Sequence, residues 1–282
     1  DAKAKDDPDL GRYLFIGDSI SGNYDKALRT ALKGKLNVYH PPTNCGPVRK
    51  GVENIVQWLG AYDQPGLGWD VISFNFGQWD SGNTKSRYQA DMEKVISELK
   101  KTGARLIFVT TTPIPGGYPE PGGLGPDDQA TGRTQKTMER FINPWALEVM
   151  SRHPDIDPVD IIGHSDIAPN RKSDPGPNFP WEELHDRGIG AWYEEIDLEQ
   201  QLTEIRQRPP SILDVQCALS TYGYPIDLTG KQDKQSQFAF RAFQLHFRPS
   251  SFSGFIDEET TAILYALNKK YRGKLVGDEP SC

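Results

Sequence analysis

Short apolar runs separated by amphipathic segments constrain the fold of this 282-residue chain more than any other feature. The runs 13–16, 71–76 and 106–109 have the length and the continuous apolar character of buried parallel strands. Between them, the segment 86–101 places its apolar side chains on one helical stripe, as in a helix packed on a sheet. This βαβ alternation predicts an α/β fold with a doubly wound parallel sheet.

Two further segments extend this pattern. The glycine- and proline-rich passage 113–130 suits neither a strand nor a helix, which predicts a long loop at the carboxyl end of the preceding strand, where α/β proteins build their sites. Apolar residues at helical spacing then predict a helix over 138–150, with a kink or break at Pro144.

In the last third of the chain, apolar residues recur at helical spacing in three segments, 213–219, 240–247 and 263–271. This pattern predicts a small all-α module of three helices. We therefore divide the chain into a flexible tail (1–10), an α/β domain (11–156), a connecting segment with a linker (157–208), the three-helix module (209–271) and a second tail (272–282).

Composition and charge exclude several classes of protein. The 32 basic and 39 acidic residues give a net charge of −7, which argues against a nucleic-acid partner. No run approaches the roughly 18 apolar residues of a membrane span. The three cysteines, Cys45, Cys217 and Cys282, can form at most one pair within the chain, and we expect packed or free thiols. The chain begins at Asp1, which is compatible with a removed targeting segment.

The first candidate site lies at Ser19, which follows a predicted strand within the sequence Gly17-Asp18-Ser19-Ile20. A serine in such a turn can serve as a nucleophile if a general base and donors for the oxyanion lie near it. The same residues are also a common turn and helix cap, so the motif alone does not decide between these interpretations.

The segments 13–22, 41–47 and 71–80 together resemble the SGNH (GDSL-type) hydrolase family, with the likeness covering about 11–156. This resemblance implies an SGNH/flavodoxin-like sheet, Ser19 as the nucleophile and Gly46 as an oxyanion donor, with no cofactor required. Trp79 stands where the family has an asparagine, which leaves nearby Asn75 as the candidate donor. The family's final Asp-x-x-His block is missing, since Asp160 and His164 are one residue too far apart.

The second candidate site lies in the polar stretch 163–177, where His164 and Asp174 are ten residues apart. Imidazole and carboxylate are zinc ligands, although catalytic zinc ordinarily takes three protein ligands and only two occur here. A loop rich in caps and turns is the alternative interpretation of the same residues.

The stretch 163–192 resembles the end of the type-2 zinc amidases that cleave N-acetylmuramoyl-L-alanine bonds. The resemblance implies His164 and Asp174 as zinc ligands and Lys172 as the charge that stabilises the tetrahedral oxyanion. The family's first histidine ligand and its general-base glutamate belong upstream, where this chain has SGNH-like sequence instead. His40 and His153 are the upstream histidines available.

The segment 211–271 resembles the three-helix peptidoglycan-binding module that often follows these amidases. We expect its phenylalanines to form the core. Binding would fall to residues of exposed turns, for which the candidates are Tyr224, Arg248 and Ser250.

Together these observations suggest a chimera joined near 155–160, in a periplasmic or secreted bacterial protein whose partner is peptidoglycan. The main hypothesis is a wall-directed SGNH-type esterase with an incomplete catalytic set, in which His164 could be recruited by Ser19. The alternatives are a zinc-dependent N-acetylmuramoyl-L-alanine amidase and a non-catalytic peptidoglycan binder.

Overall fold

A computed structural model of the chain describes residues 6–111, 123–124, 130–131 and 137–273. The chain divides into two compact units, Asp1–Ile161 and Ile162–Cys282. The division places most of the predicted connecting segment in the same unit as the three C-terminal helices.

Unit 1 is built on a five-stranded sheet with the strand order β2-β1-β3-β4-β7. The strands of this sheet are β1 (Gly11–Ile16), β2 (Leu36–Tyr39), β3 (Val71–Phe74), β4 (Arg105–Val109) and β7 (Ile161–Ile162), whose first residue is the last of unit 1. The pairings β1–β2, β1–β3 and β3–β4 are parallel. An α/β fold is therefore confirmed. A separate antiparallel pair, β5 (Gly123–Leu124) with β6 (Ala130–Thr131), includes three residues of the predicted loop 113–130, whose other residues lie outside the described ones.

Three helices follow the first three strands of the chain: α1 (Ser19–Ala31), α2 (Val48–Leu59) and α3 (Lys85–Lys100). Side chains of β1 on one face, Tyr13 and Phe15, form a buried cluster with Tyr24 of α1. Helix α2 carries Gly51 at a close approach, since a Cβ there would lie 2.8 Å from the ring of Phe76. The described part of the first predicted tail is held to β2, because the backbone N–H of Asp7 donates to Asn37.

One predicted helix differs in detail, and a short turn precedes the last strand. The helix predicted over 138–150 is a π-helix, Met138–Ile142, followed by α4 (Asn143–Met150), so the break falls beside Pro144, which lacks a backbone N–H for a helical bond. The apolar run 159–162 forms a 3₁₀ turn, Pro158–Asp160, before the short β7. Proline at the start of that turn favours it over an extended strand.

Unit 2 is helical in its described residues. Its helices are α5 (His164–Ile167), α6 (Trp181–His185), α7 (Glu195–Gln207), α8 (Ile212–Tyr222), α9 (Lys234–Phe247) and α10 (Glu258–Arg272). The last three begin at side-chain caps, namely Ser211, Asp233 and Asp257. The predicted phenylalanine core is confirmed, because Phe240, Phe243 and Phe247 are buried.

The described residues also bear on the membrane and on the cysteines. No helix among them is long and apolar enough to cross a membrane. Cys217 is disulfide-bonded, whereas Cys45 is a buried free thiol, so the expectation of three unpaired cysteines is wrong.

Candidate functional site

The structure brings His164 and Asp174 together in unit 2. His164 is the first residue of α5, and the backbone N–H of the next residue, Ser165, donates to the carbonyl oxygen of Asp174 at 2.9 Å. This backbone bond brings the polar loop back onto the start of the helix. As a result, His164 Nδ1 lies 3.2 Å from Asp174 Oδ2.

Gly163 permits this close approach. A Cβ at position 163 would lie 2.6 Å from Cδ of Pro175, a separation that packed atoms do not tolerate. The residue between β7 and α5 therefore lacks a side chain at the point where the loop crosses it. The local sequence Gly-His, followed ten residues later by Asp-Pro, is what places the two side chains side by side.

The chemistry of this pair suits a divalent metal. Asp174 Oδ2 is buried and accepts no hydrogen bond from any described residue. A buried carboxylate oxygen without a hydrogen bond is costly unless a cation compensates it, and an imidazole nitrogen beside it completes a pair of zinc donor types. The residues thus fit two of the three protein positions of a zinc site. Within the described ranges, no cluster of three or more histidine, cysteine or acidic side chains supplies the third.

Lys172, the third member of the predicted amidase set, lies on the loop between the two donors. Its backbone N–H donates to the carbonyl oxygen of Ala168 at 2.9 Å, and its side chain is half-buried. Among the described residues it forms no ion pair. An ammonium without a carboxylate partner, two residues from Asp174 in the chain, can meet an anionic group of a ligand.

The other four histidines have neighbours of their own. His40 Nε2 lies 3.3 Å from the hydroxyl of Ser21, and His153 pairs with Glu93 at 2.8 Å. His185 Nδ1 contacts the carbonyl oxygen of Gly190, and His246 Nδ1 contacts Asp166. Each of these four histidines thus has its partner within its own unit.

A buried network supports the helix that begins with His164. Asp166 accepts hydrogen bonds from the backbone N–H of Gly163 at 2.8 Å and from the hydroxyl of Tyr224 at 2.6 Å, and His246 Nδ1 lies 2.9 Å from the same carboxylate. The imidazole of His246 stacks on Trp181 with the ring centroids 3.8 Å apart. Burial and the adjacent carboxylate raise the pKa of Tyr224 well above its usual range.

Two of the three predicted binding residues of the C-terminal module are engaged internally. Tyr224 is buried and bonded to Asp166, so its expected exposure is wrong. Arg248 pairs with Asp257 at 2.6 Å and with Glu259. Ser250 is exposed, as expected.

The residues of the predicted serine site lie in unit 1 near the end of β1, where the backbone N–H of Cys45 donates to Gly17 and that of Asn75 donates to Ile16. Ser19 is exposed at the first position of α1, and no described residue forms a hydrogen bond with its hydroxyl. The nearby imidazole of His40 contacts Ser21 instead. The two predicted oxyanion donors are also occupied: the N–H of Gly46 donates to Asn44 at 2.8 Å, and the side-chain amide of Asn75 donates to the carbonyl oxygen of Val109 at 2.7 Å.

The curated proteins that the chain resembles in sequence are amidases. The chain is 39% identical over 134 residues to the N-acetylmuramoyl-L-alanine amidase AmiD of Escherichia coli, a match that covers 45% of this chain and 46% of AmiD. It is 54% identical over 64 residues to the 1,6-anhydro-N-acetylmuramyl-L-alanine amidase AmpD of Enterobacter cloacae, covering 22% of this chain and 34% of AmpD. No family model matches the chain.

Among solved structures, AmpDh3 from Pseudomonas aeruginosa is 42% identical to this chain over the matched part, with a TM-score of 0.43. The match covers 52% of this chain and 59% of that structure. The matches therefore span only part of the length of these relatives, from 34% to 59%.

These findings correct the main hypothesis drawn from the sequence. AmiD and AmpD are amidases, and the comparisons support neither an SGNH-type hydrolase nor the interpretation of the chain as a chimera. Among the described residues, the hydroxyl of Ser19 forms no hydrogen bond with a histidine, whereas His164 Nδ1 lies 3.2 Å from Asp174 Oδ2. Over the matched part, the chain is similar to N-acetylmuramoyl-L-alanine amidases.

Proposed function

We propose that this protein is a peptidoglycan-directed amidase that cleaves the bond between N-acetylmuramic acid and L-alanine. The observation that carries the proposal is the 3.2 Å approach of His164 Nδ1 to Asp174 Oδ2 on a loop whose sequence resembles that of zinc amidases. The identity to AmiD and AmpD supports it. The resemblance assigns both residues as ligands of one zinc ion.

Zinc bound at such a site supplies an activated water and polarises the scissile carbonyl group. The residues of this chain would hold the zinc ion and orient its ligands. His164 and Asp174 supply two donors on a rigid turn, and the network of Asp166 fixes the start of α5 beneath His164. Lys172 stabilises negative charge on the carbonyl oxygen of the substrate, since it has no competing carboxylate among the described residues.

A second candidate function is peptidoglycan binding without catalysis. The observation that favours it is the missing third donor, because the described residues contain no cluster of three metal-ligating side chains. A site with two protein ligands holds zinc weakly. In this alternative the segment 211–271 binds the wall and Ser250, on the exposed turn after α9, is a contact residue.

We interpret unit 1 as a doubly wound sheet. The strand order β2-β1-β3-β4-β7 reverses direction between β1 and β3, as in doubly wound sheets. We assign the protein to a periplasmic or secreted bacterial location, with peptidoglycan as its partner. The disulfide at Cys217 supports an oxidising compartment.

Two assays on the full chain separate the candidates. The first follows release of peptide from anhydromuramyl-tripeptide with added zinc, using Asp174→Ala as the test variant and Asp186→Asn, on an exposed position of the same unit, as the control. The second measures co-sedimentation with purified sacculi. Zinc-dependent release that is lost only in Asp174→Ala supports the amidase. Co-sedimentation without release supports the binder, and failure of both assays contradicts both candidates.

A further inference from the structure

Unit 1 contains a cavity of about 590 Å³ that the proposed amidase site does not use. It lies between the strands β1 and β2 and the helix α2, and its volume is within the range of small-molecule sites, roughly 300–1,000 Å³. Its lining includes aromatic, amide and cationic side chains, notably Arg12, Tyr39, Lys50, Asn54, Trp58 and Trp69.

Arg12 lies over two of the aromatic rings that line the cavity. The guanidinium of Arg12 lies 4.7 Å from the ring centroid of Tyr39 and 4.3 Å from that of Trp69. Those two rings meet edge to face, at 76°. Trp58 also lines the cavity and, among the described residues, has no stacking or cation–π partner.

Lys50 is the cation of the cavity that lacks a carboxylate partner among the described residues. Its ammonium donates to the hydroxyl of Thr43 at 3.0 Å and to the carbonyl oxygen of Asn44, which leaves one of its three N–H groups. Arg12, by contrast, pairs with Asp6 at 3.3 Å. His40 also lines the cavity, and burial lowers its pKa, so it is neutral at pH 7.

The remaining polar groups combine donors and acceptors. Asn54 uses its NH₂ group on the carbonyl oxygen of Lys50 at 2.9 Å, which leaves its side-chain oxygen as an acceptor. Gln57 and the indole N–H of Trp58 form no hydrogen bond with the described residues. A mixture of spare donors and acceptors beside one aromatic face suits a ligand with several hydroxyl groups, each of which both donates and accepts.

We propose that this cavity binds a saccharide that carries one carboxylate, with the sugar ring against Trp58 and the carboxylate at Lys50. The proposal does not depend on amidase activity, because every residue that carries it belongs to unit 1. It adds a recognition site of a defined chemical class to the chain.

Calorimetric titration of the full chain tests the proposal with N-acetylmuramic acid, N-acetylglucosamine and benzoate. The two sugars share the same ring, but only N-acetylmuramic acid carries a carboxylate. Benzoate is an aromatic carboxylate without hydroxyl groups. We expect N-acetylmuramic acid to bind about tenfold more tightly than N-acetylglucosamine, the effect of one charge-assisted hydrogen bond. Benzoate is expected not to bind.

Variants assign the effect to the cavity. Lys50→Met should remove the preference for the charged sugar, and Trp58→Leu should weaken the binding of both sugars, whereas Trp79→Leu, on an exposed tryptophan outside the cavity, should bind as wild type. Gln57→Ala, on an exposed position of α2, provides a second test that leaves the fold unchanged and should weaken both sugars several-fold. The proposal would be overturned if no saturable binding were found, if the two sugars bound with equal affinity, or if benzoate bound. It would also be overturned if Lys50→Met and Gln57→Ala both bound the sugars as wild type does.

Discussion

His246 Nδ1 lies 2.9 Å from the carboxylate of Asp166, and both side chains are buried. The pair joins residues 80 positions apart in the sequence. Asp166 belongs to the four-residue helix that begins with His164, and His246 belongs to α9. A helix of one turn has little stability of its own, so its position depends on such tertiary contacts.

Removal of the Asp166 carboxylate should destabilise unit 2. Asp166→Ala leaves His246, Tyr224 and the N–H of Gly163 buried without their acceptor, and we expect a loss of about 3 kcal/mol in the free energy of unfolding. Tyr224→Phe should cost about 1–2 kcal/mol, and the double variant should lose little more than Asp166→Ala alone. Urea unfolding measures all three.

Tyr193→Phe is the matched control for this network, because Tyr193 is half-buried in the same unit and its hydroxyl forms no hydrogen bond with the described residues. It should be neutral within about 0.5 kcal/mol. Additive losses in the double variant would show that the Tyr224 hydroxyl contributes independently of Asp166, contrary to the network.

The stability of unit 1 should depend on pH through Asp80. Burial raises the pKa of this carboxyl to about 7, against the contacts with the N–H of Val48 and with Asn83 that lower it. Between the unfolded pKa near 4 and the folded value, the folded state holds a proton that the unfolded state has lost. Stability from this group is therefore fully present below about pH 4 and is lost as the pH rises to about 7, by on the order of 4 kcal/mol.

Asp80→Asn isolates this effect. The amide does not titrate, so the fall in melting temperature between pH 4 and pH 7.5 should be smaller in the variant than in the wild type. Asp63→Asn, on an exposed position of the same unit, should leave the wild-type profile unchanged. Parallel pH profiles for wild type and Asp80→Asn would show that Asp80 is not the responsible group.

Gly163→Ala should disturb the candidate metal site. Its Cβ would meet Pro175 at 2.6 Å, and relief of that overlap must move the loop that carries Asp174 away from His164. Overpacking of this kind costs about 1–3 kcal/mol. Gly22→Ala, where an added Cβ meets nothing within 4 Å, should be neutral or slightly stabilising. A wild-type melting temperature for Gly163→Ala would contradict the close approach.

Sequence patterns predicted the buried strands of the fold better than its edges. The strand β3 and the helix α3 follow from continuous apolar runs and a clear helical stripe. Strand β2, at the edge of the sheet, was not predicted, because Leu36–Tyr39 is only half-buried and includes the polar Asn37.

The candidate site was predictable where its members are close in the chain. His164 and Asp174 are ten residues apart on one loop, and their chemistry pointed to a shared site. Tyr224 and His246 reach Asp166 from 58 and 80 residues away, and no local pattern indicates such partners. The serine motif failed for a related reason, because a nucleophile depends on a base that only tertiary structure can supply.

The central claim is that His164 and Asp174 bind zinc. Its most direct test is to remove metal from the full chain by dialysis against a chelator and then to titrate zinc into the protein by calorimetry. The account predicts saturable binding at one site per chain that is abolished in His164→Ala and in Asp174→Ala. Binding should persist in His185→Ala, which removes a half-buried histidine of the same unit that lies outside the pair. Absence of saturable zinc binding by the folded wild type, or binding that survives the loss of His164, would contradict the assignment of His164 and Asp174 as metal ligands.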